Sequence, residues 1–179
     1  MRIAFDSHVV TFFLQANQYG YDPAEDGDSV LATERVAAFQ LWIYGRNPIA
    51  VPTVFKECKD VPDAMKNREH FNWNAYHLEE VLAQELDAAQ IDARAAELAT
   101  QHSGANDCRI VAECEDKAAR VDALATFDSE LIKHLKDEAR IVVATPYDCW
   151  QRLAIPHGAA PSSVLSPDHP LVKAVWWRW

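Results

Sequence analysis

The sequence predicts an α/β protein built on a parallel sheet with helices covering both faces. Three observations carry this. Four short, nearly continuous apolar runs, at residues 2–5, 49–51, 123–127 and 141–144, read as strands. Stretches with helical periodicity separate them, and Gly, Pro and Asn mark the joins. Strands buried on both faces lose the in–out alternation of a half-exposed sheet, which is the pattern of parallel α/β proteins.

The elements follow in order. The first strand ends at Asp6, and a helix follows over residues 9–16. Residues 17–28 hold Gly20, Pro23 and Gly27 with four acids (Asp22, Glu25, Asp26, Asp28) and read as a loop. A helix over 29–44, capped by Ser29 and stopped by Gly45 and Pro48, buries Val36, Phe39, Leu41, Trp42 and Ile43. After the strand at 49–51, Thr53 is the expected N-cap of a helix carrying Val54, Phe55, Glu57 and Cys58. Residues 67–76 are aromatic and polar, between helices. The stretch 78–102 reads as helical with a break near Asp87, ended by Ser103-Gly104-Ala105-Asn106. A helix starting near Asp107 turns Ile110, Val111, Cys114 and Ala118 to one side. Asp128 opens a helix with Leu131, Ile132 and Leu135 inward, and Pro146 starts a short helix through Trp150. Beyond Ile155 five prolines and glycines lead to Trp176-Trp177-Arg178-Trp179; residues 154–179 read as a Pro- and Trp-rich tail that packs back on the domain.

Charge and composition remove several classes. The 179 residues carry 17 Lys and Arg against 27 Asp and Glu, a formal net charge of −10, which disfavours coating nucleic acid by bulk attraction. No apolar run is long enough for a membrane span, and Asp6 interrupts the stretch a signal peptide would need, so a cytoplasmic protein is expected. Cys58, Cys108, Cys114 and Cys149 form no C-x-x-C pair and read as free, buried thiols.

In open parallel sheets ligands bind outside the carboxyl ends of the strands. Asp6 ends the first strand, Glu57 lies a turn into the helix after the second, and Asp128 follows the third. Asp107 begins the helix that must run back antiparallel to the third strand. Four carboxylates therefore converge on one sheet edge. Unshielded, they repel, and one would take up a proton. Hard divalent cations remove the conflict, and with no Cys or His in the set they suit Mg²⁺ or Mn²⁺ rather than zinc. Such ions can activate water and stabilise the leaving oxygen in phosphodiester cleavage. Taken singly, each acid has a plainer reading: Asp107 and Asp128 as helix caps, Glu57 as a surface charge. Glu113, Glu115, Asp116 and Asp122 read as solvated charges, and His8, His70, His77 and His134 as scattered surface or satisfied rings. Lys56, Lys59, Lys66, Arg46 and Arg68 are nearly cancelled by neighbouring acids and form a weak phosphate track.

At these residues the chain resembles the PIN-domain ribonucleases, which include the toxins of VapBC toxin–antitoxin pairs. The matching segments are Ile3-Ala4-Phe5-Asp6-Ser7, Thr53-Val54-Phe55-Lys56-Glu57, Asp107-Cys108-Arg109-Ile110-Val111-Ala112 and Thr126-Phe127-Asp128-Ser129-Glu130-Leu131. The resemblance implies a three-layer α/β/α sandwich with four or five parallel strands over residues 1–153. It implies single-stranded or structured RNA as substrate and Mg²⁺ or Mn²⁺ as cofactor. Asp6, Glu57, Asp107 and Asp128 carry over as catalytic metal ligands, Thr126 as a supporting catalytic hydroxyl and Ser7 as a substrate contact. Arg109, beside Asp107, is placed to meet substrate phosphate or to pair with an acid. The acidic excess suits a basic inhibitor such as an antitoxin protein, and the tryptophans suit packing on the domain, closing a homodimer or stacking on bases. Two rivals stand beside this reading. One is a non-catalytic PIN-like module that binds RNA or protein. The other is a haloacid-type phosphatase, disfavoured because His8 stands where that chemistry wants a second Asp.

Overall fold

The computed structural model describes residues 1–25, 27–60, 77–162 and 165–178. The aromatic stretch 67–76, with Lys66, Arg68, His70 and also Trp179, lies outside them. Five parallel strands form one sheet: β1 (Ile3–Phe5), β2 (Ile49–Ala50), β3 (Glu79–Glu80), β4 (Ala123–Ala125) and β5 (Val142–Ala144), in the order β3-β2-β1-β4-β5. Among the described residues seven α-helices flank it: α1 (Ser7–Tyr19), α2 (Ser29–Tyr44), α3 (Pro52–Lys59), α4 (Ala88–Leu98), α5 (Ala105–Glu115), α6 (Ser129–Leu135) and α7 (Pro146–Arg152). This is the three-layer α/β/α arrangement expected. Helices α1 and α2 connect β1 to β2, α4 and α5 lie between β3 and β4, α6 connects β4 to β5, and α7 packs on α2.

The central strands are wholly apolar and buried, with Ala4, Phe5, Ala123, Leu124 and Ala125 shut off from water. Register pairs Ala4 with Ile49 on one side and with Leu124 on the other. Trp42 packs edge to face against both Phe13 and Phe39, whose own rings are tilted at 42° to each other. All four cysteines are free and buried, and burial pushes the Cys58 and Cys149 thiols up to about 12.

Several local expectations are corrected. Helix α1 starts at Ser7 and runs to Tyr19, longer at both ends than the periodicity suggested. Asp28 rather than Ser29 caps α2, accepting from the amides of Val30 and Leu31. Thr53 does not cap α3: Pro52 takes the first helical position, Val51 the cap position, and the Thr53 side chain turns to Glu113. Residues 78–82 are not helical. The Glu79 and Val81 amides donate to the Pro48 and Ala50 carbonyls, adding an edge strand; a 3-10 turn follows at Ala83–Glu85, and α-helix begins where Asp87 caps α4. Helix α5 starts at Ala105 and stops at Glu115, so Ala118 lies beyond it, exposed.

Leu171 and Trp177 are buried in the common core, the Trp177 indole donates to the Leu171 carbonyl, and Ser162 donates to the Ile43 carbonyl. No helix among the described residues is long and apolar enough to cross a membrane.

Candidate functional site

The strand order reverses direction between β1 and β4. In doubly wound sheets the crevice outside the carboxyl ends of such a pair is where ligands bind. Here it holds a cleft of about 340 Å³, lined by Asp6, Ser7, His8, Thr11, Glu57, Cys58, Asp107 and Asp128. The four acids singled out by sequence meet in it, and among the described residues no Lys or Arg lines it.

Each acid is fixed by a local device. Asp6 follows β1 directly, its amide still bonded to the Ala125 carbonyl of β4. Its side chain is only 5% exposed. One carboxylate oxygen accepts from the Ser7 amide at 2.6 Å and from the Ser7 hydroxyl at 3.3 Å; the other accepts from the Thr126 hydroxyl at 2.8 Å. Burial raises the Asp6 carboxyl above its ordinary range; the Thr126 and Ser7 bonds pull it down, and nearby Asp107 adds to the rise. Thr126 is fully buried and also accepts from the Asp128 amide at 3.0 Å, so one hydroxyl ties the ends of β1 and β4 together. Asp128 Oδ1 caps α6 through the amides of Glu130 and Leu131. Glu57, one turn into α3, accepts from the Asn106 side-chain amide at 2.7 Å. Asp107 Oδ2 lies 2.8 Å from His102 Nε2.

The sequence reading did not single out His102, Gly104 or Asn106 as parts of the site. Their roles come from proximity across loops, with no spacing pattern to announce them. Glu113, expected to be solvated, is buried, and so is the carboxylate end of half-buried Glu115, whose side chain is 2% exposed. Glu113 accepts from the Thr53 amide at 2.9 Å and the Thr53 hydroxyl at 2.7 Å, anchoring the first turn of α3 below Glu57. Glu115 takes a two-pronged contact from the Arg94 guanidinium. Arg109 does not line the acid cleft. It pairs with Asp92 at 2.8 Å and Glu113 at 3.3 Å, beside a separate groove that includes Lys56 and Ile91.

No family model, curated protein or solved structure matches the chain. The site must therefore speak through its own chemistry. Four hard oxygen donors facing one space, one of them on a buried strand end, suit a hard divalent cation. As placed, however, no three acid, His or Cys side chains among the described residues close on one point to hold a metal ion. The donor chemistry fits Mg²⁺ or Mn²⁺; the side chains are gathered without being drawn together.

Proposed function

We propose that this chain is a metal-dependent ribonuclease of the PIN type, hydrolysing RNA phosphodiester bonds with Mg²⁺ or Mn²⁺ held by Asp6, Glu57, Asp107 and Asp128. The observation that carries the reading is the convergence of these acids, from four separate stretches of chain, on one cleft at the topological switch point. Bound there, such ions supply an activated water and neutralise charge at the leaving oxygen. The chain's own residues keep the carboxylates in place: Thr126 and Ser7 orient Asp6, Asn106 orients Glu57, and the cap of α6 orients Asp128. The resemblance at the four motifs supports the RNA substrate, and it makes the toxin of a toxin–antitoxin pair one setting for the activity.

The test is cleavage of a labelled single-stranded RNA. Asp6→Asn and Asp128→Asn are expected to abolish cleavage in folded protein, and EDTA to abolish it in the wild type. An unchanged rate in either variant, or full activity in EDTA, would overturn the reading. One observation favours a second reading, a non-catalytic module that binds RNA or protein: every acid of the cleft already has a protein hydrogen-bond partner, and no three close on a point. Titration calorimetry with Mn²⁺ separates the two, since that module would show no binding heat.

A further inference from the structure

The loop between α4 and α5 is built around one buried ring. His102 is 8% exposed, and its Nε2 lies 2.8 Å from Asp107 Oδ2. A carboxylate oxygen accepts, so the hydrogen of this contact is carried by His102 Nε2. The Nδ1 atoms of His102 and His134 lie 3.4 Å apart, and His134 Nε2 lies 3.6 Å from Glu130 Oε2. A line of polar contacts thus runs from Glu130 in α6 through both rings to Asp107 in α5. The thiol of Cys108 donates to the His102 carbonyl at 3.4 Å, holding the backbone that carries the ring.

Gly104 makes the pair sterically possible. Its φ is −73°, so no backbone constraint demands glycine there. A Cβ at this position would lie 1.9 Å from Asp107 Oδ2 and 2.7 Å from His102 Nε2. Space is therefore kept clear for the imidazole–carboxylate contact itself.

We infer that His102 is a positioning residue of the acid cleft, which fixes the Asp107 carboxylate in the orientation that binds a divalent cation. This rests on the metal-site reading above. Ligating carboxylates are commonly held by such outer hydrogen bonds, and losing one costs about 10- to 100-fold in metal affinity.

The experiment measures Mn²⁺ affinity by calorimetry on the full chain, alongside its melting temperature. His102→Leu is expected to weaken Mn²⁺ binding about 10- to 100-fold. His102→Gln, whose amide can donate from the position of Nε2, should restore most of it. Gly104→Ala keeps both partners but crowds them, and should weaken binding in the same direction; it carries the test if His102→Leu does not fold. Cleavage in these variants should lose kcat with KM for RNA unchanged. Wild-type Mn²⁺ affinity in folded His102→Leu or Gly104→Ala, with Asp107→Asn impaired, would overturn the positioning role alone. No Mn²⁺ binding by the wild type would overturn the metal-site reading and this role together.

Discussion

The Glu113 carboxyl is shut off from water, so its neighbours decide what it does. Its oxygens take the amide and hydroxyl of Thr53 and the Arg109 guanidinium. A hydrogen bond to a buried charged group contributes about 1.5–3 kcal/mol. Thr53→Val should lower unfolding stability in urea by about that amount, and it should reduce cleavage through displacement of Glu57 in the same short helix. Unaltered stability would show that the residue 53 amide and Arg109 suffice to hold Glu113. Sequence reading took Glu113 for a surface charge because Glu is seldom buried. Its partner lies 60 residues away, and nothing local in either segment reports the pairing. Asp6, by contrast, was legible: an acid closing an apolar strand has few places to be other than the sheet edge.

Among the elements, α6 is capped by a side chain that also lines the acid cleft. Asp128 Oδ1 accepts from Glu130 and Leu131, satisfying amides that the first turn leaves unpaired. Asp128→Ala should therefore cost about 1 kcal/mol of stability, whereas Asp128→Asn should cost little, since Asn caps comparably. Unfolding curves of the two variants check this. Cleavage should be lost in both, which separates the role of the charge from that of the cap. The edge strand β3 marks where pattern reading of elements fails. A two-residue parallel strand is too short to show any period, and Glu79 and Glu80 are poor strand formers on an exposed edge. Only the Pro48 and Ala50 carbonyls across from them make it a strand.

For the whole molecule, the tail and body meet at titratable rings as well as at tryptophans. His77, edge-on to Trp42 at 5.3 Å, is lowered by burial to about 4, with further lowering from His169 in the tail. Burial lowers His169 as well. In the unfolded chain such rings protonate near 6.5. The folded state thus keeps them neutral, and their contribution is full above about 6.5 and lost as the pH falls toward about 4. The urea midpoint should drop between pH 7 and pH 5, and the drop should be shallower in His77→Phe. An identical pH slope in wild type and variant would remove His77 as a source.

The sequence by itself determined the layered α/β class, the end of β1 at Asp6 and the four acids of the cleft. Apolar runs, helical spacing and an acid at a strand end are local properties that survive reading one residue after another. Tertiary structure decided the fifth strand, the burial of Glu113 and Glu115, the turning of Arg109 away from the cleft and the His102–Asp107 contact. Those depend on which distant segments share a space, because hydrogen bonds and steric room are set by distance in three dimensions.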